Sequence, residues 1–145
     1  MNVYADTAFL CSLHAPDAHT GRVLAWLRRH RAPLPLSTLH RLEFRNALRL
    51  RVFRKEITAE QRELAIQAML SDLAANVFTY TNPAWPEVFL EAERLSAGHS
   101  EILGTRSLDV LHVATALVLG ARDFLTFDTR QGSLARAAGL RLVPV

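Results

Sequence analysis

Two aspartates follow apolar segments of the same form near the two ends of the chain. Residues 3–7 (VYADT) and 125–129 (LTFDT) each place an Asp-Thr pair directly after a short apolar stretch that is typical of a strand. Open α/β sheets bind their ligands beyond the carboxyl ends of parallel strands. We therefore predict that Asp6 and Asp128 lie at one edge of a sheet, although each could instead only cap the helix that follows it.

Asp109 is a third acid in an unusual position. It falls in the first turn of a helix predicted over residues 107–119, which is apolar on every side and should therefore be buried. The helix dipole favours an anion there by only about 1 kcal/mol, too little to offset the burial of a charge. Asp109 therefore needs a partner, which would be Arg106, a capping hydrogen bond or a shared cation.

Glu43 is the only acid among ten Arg and Lys residues between positions 22 and 55. In a helix over residues 39–54, at about 100° per residue, Glu43 falls on the same side as Leu39, Leu42, Leu50 and Phe53. We predict that this face points inward. It would carry Glu43 together with Asn46, whose amide would orient a carboxylate or a metal-bound water.

The same predicted helix carries a stripe of arginines on its other side. Arg41, Arg45 and Arg49 recur every four residues and are expected to point outward. A basic segment within a chain of net charge +3 suggests a polyanionic partner. Solvated helix faces with no ligand would produce the same pattern.

Four carboxylates at one sheet edge would repel one another, and a divalent cation would relieve that repulsion. The set Asp6, Glu43, Asp109 and Asp128 offers only oxygen ligands, which suit Mg²⁺ or Mn²⁺ and not zinc. A metal held by carboxylates and waters is the usual apparatus of phosphodiester cleavage.

Strand-like and helical segments alternate along the chain. Strands are predicted near residues 3–5, 33–38, 77–80, 124–127 and 140–143, and helices near 20–30, 39–54, 58–75, 83–96, 107–119 and 133–138, with a loop at 97–100. This alternation implies parallel strands covered by helices. The predicted fold class is α/β, a three-layer α/β/α sandwich with a mostly parallel central sheet, in one domain over residues 1–145.

The composition is that of an ordinary globular chain, with 145 residues, 50% apolar and 21% charged. No apolar run approaches the roughly 20 residues that span a bilayer, and the first residues lack the basic start of a signal peptide. Cys11 is the only cysteine, so no internal disulfide or cysteine-based zinc site is expected. We expect a cytoplasmic protein with no membrane association.

Four motifs together resemble the PIN-domain ribonucleases, and specifically the VapC-type toxins of bacterial toxin–antitoxin pairs. They are YADT at 4–7, LEFRNAL at 42–48, RSLDVLHVA at 106–114 and LTFD at 125–128. Each motif is weak alone, but their order and spacing extend over nearly the whole chain. The resemblance implies a PIN-like fold.

The resemblance also implies an activity and partners. It points to a Mg²⁺- or Mn²⁺-dependent endoribonuclease that acts on single-stranded or structured RNA, forms a homodimer and is inhibited by a cognate antitoxin. It assigns the metal site to Asp6, Glu43, Asp109 and Asp128, with Asp6 and Asp109 as the most direct ligands. Thr7 would position a water or one of these carboxylates.

Two smaller expectations complete the sequence analysis. If the substrate is RNA, Arg41, Arg45 and Arg49 are expected to contact its phosphates. His112, three residues after Asp109, is expected to pack or to form a hydrogen bond within a buried helix.

Two other functions remain open at this point. One is a non-catalytic α/β module, in which the acids pair with arginines and the basic helix binds nucleic acid or protein. The other, a phosphoacceptor receiver domain, fits less well because it needs a reactive lysine, and Lys55 is the only lysine. Metal-dependent RNA cleavage that a chelator abolishes would separate the enzyme from the module.

Overall fold

The computed structural model describes residues 2–145, which form two compact units. The first unit contains residues 2–6 and 82–145, and the second contains residues 7–81. In the described residues all strand pairs are parallel, and they form one sheet of three strands and one sheet of two strands. The sequence analysis predicts a single central sheet instead. The parallel strands and their flanking helices confirm the predicted α/β class.

Strands and helices alternate through the described chain much as predicted. The elements are β1 (Val3–Ala5), α1 (Thr7–His14), α2 (Thr20–Arg29), β2 (Leu34–Leu36), α3 (Thr38–Phe53), α4 (Ala59–Ala74), β3 (Phe78–Tyr80), α5 (Trp85–Leu95), α6 (Glu101–Leu103), α7 (Ser107–Val118), β4 (Asp123–Leu125), α8 (Thr129–Ala137) and β5 (Arg141–Leu142). The predicted loop at 97–100 is instead part of a π-helical turn, Ser96–Ser100, that continues α5 into α6. Among the helices of residues 2–145, none is long and apolar enough to cross a membrane.

The first unit is built on the strand order β1-β4-β5 and on α7, which is its most buried helix. Tyr4 of β1 stacks on Phe124 of β4 with their ring centroids 5.6 Å apart. The Tyr4 hydroxyl forms a 2.7 Å hydrogen bond with Nδ1 of His112 on α7. This bond ties α7 to the sheet and confirms the predicted packing role of His112, because two buried polar groups satisfy each other.

In the second unit, α1 packs against α2, α3 and α4, next to the paired strands β2 and β3. His14 of α1 places its ring near Phe44 and Phe78. The two ring nitrogens lie 3.1 Å from the carbonyl oxygen of Leu10 and 2.6 Å from Oδ2 of Asp72. Both ring nitrogens of His14 therefore lie within hydrogen-bond distance of an oxygen atom, and the contact with Asp72 ties α1 to α4.

The predicted inward face of α3 is wrong. The buried side chains of α3 are His40, Phe44 and Leu48, whereas Leu42 and Phe53 are 68% and 83% exposed. The three buried residues are spaced four apart and form one stripe, and Nδ1 of His40 accepts a hydrogen bond from the backbone N–H of Ser37 in the capping box of the helix. The buried face of α3 thus includes a polar residue, His40, which the sequence analysis did not place.

Asp17 organises the turn between α1 and α2. Its carboxylate accepts hydrogen bonds of 2.8 Å from the backbone N–H of His19 and from the Ser12 hydroxyl. Burial alone would raise the pKa of Asp17, but these bonds, the nearby His19 ring and the backbone N–H of Thr20 hold it below the usual 3.8.

The Asp17→Asn protein is expected to be slightly less stable than the wild type at neutral pH, and equally stable in acid. Because the folded pKa of Asp17 lies below its unfolded pKa, its contribution is complete above the unfolded value and disappears as the pH falls through the folded value. The effect is small because the carboxylate is largely exposed and screened. The two melting temperatures should converge between about pH 5 and pH 3; a pH-independent difference would contradict this role.

Candidate active site

Asp6 and Asp128 follow the carboxyl ends of two neighbouring parallel strands. Ala5 at the end of β1 is paired with Leu125 at the end of β4. The Thr126 hydroxyl donates to Oδ2 of Asp6 at 2.5 Å and accepts from the backbone N–H of Asp128 at 2.9 Å. Asp6 is only 3% exposed, so Thr126 fixes a buried carboxylate and links it to the second acid.

Gln131 connects Asp128 to Asp109. Oδ1 of Asp128 accepts from the backbone N–H of Gln131 at 2.9 Å, which makes Asp128 the N-cap of α8. The buried side chain of Gln131 donates from Nε2 to Oδ1 of Asp109, at 3.4 Å. The predicted capping role of Asp128 is therefore real, and it coexists with a link to the acid on α7.

Arg106 lies against the solvent side of both acids. Its Nε is 3.2 Å from Oδ2 of Asp109, and its Nη2 is 3.7 Å from Oδ2 of Asp128. This confirms the alternative in which Arg106 pairs with Asp109. The arginine side chain is 72% exposed, and exposed ion pairs contribute at most about 1 kcal/mol, so the guanidinium can be displaced.

We call Asp6, Asp109 and Asp128 the aspartate cluster. Three residues that the sequence analysis did not assign to the site, Thr126, Gln131 and Arg106, join its members. Two of them had a readable signal: Gln131 occupies the position of Gln in a capping box, and Arg106 is one turn before an acid. Nothing in the sequence singles out Thr126.

The donor groups of the aspartate cluster fit a hard divalent cation, although they do not form a closed cage. Within residues 2–145, no three His, Cys, Asp or Glu side chains are placed to hold a metal ion. Oε1 of the buried Gln131 has no hydrogen-bond partner in the described part of the chain, and such an atom costs about 1–3 kcal/mol. Carboxylate and amide oxygens are the kinds of ligand that suit Mg²⁺ or Mn²⁺, so the types of donor atom present fit these ions.

Glu43 and Thr7 form a separate pair within the second unit. The Thr7 hydroxyl, in a residue that is 5% exposed, donates to Oε1 of the half-buried Glu43 at 2.8 Å. Thr7 therefore does hold a carboxylate. The predicted inward position of Asn46 is wrong, because its side chain is exposed on the solvent face of α3. The assignment of Glu43 to a metal site stays a prediction.

The arginine stripe lies on the outer part of α3. Arg41 and Arg49 are exposed and Arg45 is half-buried. The Arg49 guanidinium donates to the Arg45 carbonyl oxygen at 3.4 Å. The stripe therefore offers positive charge to solvent, and its contact with RNA stays a prediction.

Comparison with protein families finds one match over nearly the whole chain. Residues 3–139 match the family model described as the PIN domain. Among curated proteins, no sequence matches.

Solved structures resemble the chain over its whole length. The VapC20 toxin of Mycobacterium tuberculosis, described as cleaving the sarcin–ricin loop, has a TM-score of 0.70 at 18% identity and covers 99% of this chain and 100% of its own. A chain of VapBC2 from Rickettsia felis, solved with a promoter DNA fragment, has a TM-score of 0.67 at 16% identity, covering 99% and 98%. A chain of FitAcB from Neisseria gonorrhoeae has 0.64 at 16% identity, covering 98% and 96%. At this identity the likeness shows a shared fold.

Proposed function

Since the chain belongs to the PIN-domain family, we propose that it is a metal-dependent endoribonuclease and the toxin of a toxin–antitoxin pair. The observation that carries this proposal is the aspartate cluster, in which three acids share hydrogen-bond and ion-pair partners beyond two parallel strands. Acids gathered in this position are what a cation-dependent phosphodiester hydrolase requires.

Asp6 and Asp109 are proposed as the most direct metal ligands because they are the two buried members of the cluster. A Mg²⁺ or Mn²⁺ ion bound by these residues would supply the activation of a water nucleophile and the neutralisation of charge on the phosphate. Thr126 orients the Asp6 carboxylate and Gln131 orients that of Asp109, so both are held before the ion arrives. Asp128 adds a third carboxylate from the start of α8.

Glu43 is proposed as the fourth acid of the site. Its support is the hydrogen bond from Thr7, which is the residue after Asp6 in the sequence. A carboxylate held in one rotamer by a buried hydroxyl is suited to bind a metal or a metal-bound water. Asn46 has no part in this proposal.

The proposed partners are RNA, a cognate antitoxin and a second copy of the chain, acting in the cytoplasm. An antitoxin is supported by the similar structures VapBC2 and FitAcB, which are toxin–antitoxin complexes. A homodimer is supported by Leu42, Leu50 and Phe53, which project from α3 into solvent. Exposed apolar side chains grouped on one helix are typical of a surface that another protein covers.

The non-catalytic module remains the second candidate, because one observation favours it. Arg106 already neutralises Asp109 and Asp128, as expected if the acids serve only to hold arginines. The two functions differ in whether the cluster exchanges this arginine for a metal ion.

RNA cleavage in the presence and absence of divalent ions tests the proposal. The purified protein is incubated with labelled single-stranded RNA and with an RNA hairpin, in Mg²⁺, in Mn²⁺ and in a chelator. We expect discrete cleavage products with either ion, loss of cleavage in the chelator and recovery when the ion is restored. Intact RNA under all these conditions would favour the binding module, and cleavage that persists in the chelator would contradict a metal-dependent mechanism.

Replacing both Arg45 and Arg49 with Gln is expected to weaken RNA binding and to flatten its salt dependence. Phosphate contacts give affinity without sequence choice, and each one lost lowers the magnitude of the logarithmic salt slope by about 0.7 for single-stranded RNA. Fluorescence anisotropy in a chelator measures the slope without cleavage.

The charge-matched control for this experiment replaces Arg28 and Arg29 at the end of α2 with Gln. It should leave the salt slope unchanged. If the Arg45 and Arg49 variant binds RNA with the wild-type slope but loses its antitoxin, the stripe is a protein interface.

A further inference from the structure

A small cavity lies within the second unit, where the ends of β2 and β3 meet α3 and α4. Its volume is about 110 Å³, and its lining is apolar except for Arg41, Arg45 and the hydroxyl of Tyr80. We propose that this cavity binds one unstacked base of a single-stranded RNA. The base would lie against the Tyr80 ring, and the adjoining phosphates would contact the two arginines.

The position of Tyr80 makes its ring available to a ligand. Tyr80 is the last residue of β3, paired with Leu36 at the end of β2, and it is 51% exposed. Proteins that recognise single-stranded RNA stack its bases on aromatic rings and on arginine planes. A half-exposed tyrosine beside two arginines provides both kinds of surface.

The size of the cavity limits the occupant to one flat ring or one side chain. Pockets for whole small molecules measure about 300–1,000 Å³, several times the volume seen here. The floor is formed by aliphatic side chains such as Ile66 and Met69 of α4. A nucleobase can cover such a floor while its sugar and phosphates remain at the rim.

The charge at the rim distinguishes a nucleotide from an apolar protein side chain. Arg41 and Arg45 are one helical turn apart, and no acidic residue lines the cavity. A leucine or phenylalanine from a protein partner would use the floor and leave both guanidinium groups without a counter-ion. A nucleotide carries both a flat ring and a phosphate. Its base can pack on the apolar floor while its phosphate pairs with the arginines at the rim.

This inference rests on the proposed RNA substrate, and it adds a base-binding site to the phosphate contacts of the arginine stripe. Arg49 is outside the cavity lining. Loss of Arg49 should therefore weaken binding equally for all positions of an RNA, whereas loss of Tyr80 should remove the contribution of one base.

Binding of a labelled oligouridylate of about ten nucleotides, measured by fluorescence anisotropy in a chelator, tests the inference. Tyr80→Ala is expected to weaken binding by about five- to a hundredfold, the effect of losing one base–aromatic stack. Tyr80→Trp should keep the affinity. Tyr80→Leu, which retains apolar bulk without a flat ring, should bind as weakly as Tyr80→Ala.

A series of oligonucleotides with one abasic position each shows whether a single base is responsible. In the wild type, removing the base at one position should cost as much affinity as Tyr80→Ala. In the Tyr80→Ala protein, the same abasic position should cause no further loss of RNA affinity, because the substitution and the abasic position remove the same interaction. An abasic cost that persists in Tyr80→Ala would overturn the inference.

Phe89→Ala is the matched control, because Phe89 is a 55% exposed aromatic residue on α5, outside the cavity. It should bind the oligouridylate as the wild type does.

A Tyr80→Ala protein that binds RNA normally but loses its protein partner would assign the cavity to that partner. If the wild type cleaves RNA and Tyr80→Ala binds it unchanged, only the base site is wrong; if the wild type neither binds nor cleaves RNA, the proposed function is wrong as well.

Discussion

The Asp6→Asn protein is expected to cleave RNA more than about a hundredfold more slowly than the wild type while remaining folded. Asn is nearly isosteric with Asp and can still accept the hydrogen bond from Thr126. The substitution removes the negative charge that a divalent cation needs. Loss of a group that only orients a metal ligand lowers activity ten- to a hundredfold, so loss of the ligand itself should lower it further. Initial cleavage rates in Mg²⁺ or Mn²⁺ measure the change.

Stability in a chelator separates a metal ligand from a structural cap. Without metal, the carboxylates of the aspartate cluster repel one another, and Asp6→Asn removes one of these charges. The Asp6→Asn protein should therefore melt at the same temperature as the wild type or at a higher one. Asp123→Asn is the control, because Asp123 pairs with Arg141 at 2.7 and 2.9 Å at the opposite end of β4. Asp123→Asn should keep RNA cleavage. A strongly destabilised Asp6→Asn protein would mean that Asp6 is a structural cap.

Replacing Arg106 with Gln is expected to tighten Mn²⁺ binding by about three- to tenfold. The guanidinium competes with the ion for Asp109 and Asp128, and each exposed ion pair accounts for about 0.2–1 kcal/mol. Isothermal titration of the metal-free protein with Mn²⁺ measures the affinity directly.

The melting temperature gives an independent check on Arg106. In a chelator Arg106→Gln should melt below the wild type, because Asp109 loses its counter-charge. Saturating Mn²⁺ should narrow or reverse the difference, since an ion that binds only the folded state stabilises it. Arg141→Gln, which removes another exposed arginine paired with an aspartate, should leave Mn²⁺ affinity unchanged. Equal affinities for Arg106→Gln and the wild type would show that Arg106 does not compete.

The acids of the first unit could be predicted because each is a charged residue within or directly after an apolar segment. Asp109 is a carboxylate in an otherwise apolar helix, and Asp6 and Asp128 each follow a strand-like segment of the same form. Burial of a charge is expensive enough that each such residue must have a partner. The identity of the partners depends on three-dimensional packing, which is why Thr126, and the contact of Gln131 with Asp109, emerged only from the structure.

The orientation of α3 could not be predicted from its apolar pattern. The pattern assumes that apolar residues point inward, but Leu42 and Phe53 are exposed, as in helices that a partner covers. The buried stripe is His40, Phe44 and Leu48, and His40 also completes the helix cap. Glu43 is predicted to point inward; it is half-buried and accepts a hydrogen bond from Thr7.

The most direct test of the metal site is the anomalous difference map of crystals soaked in Mn²⁺. We expect a peak about 2.1 Å from carboxylate oxygens of both Asp6 and Asp109, with the Arg106 side chain turned away from Asp109. A map with no peak at the aspartate cluster, and with Arg106 still bridging Asp109 and Asp128 at saturating Mn²⁺, would contradict the proposed metal-dependent nuclease.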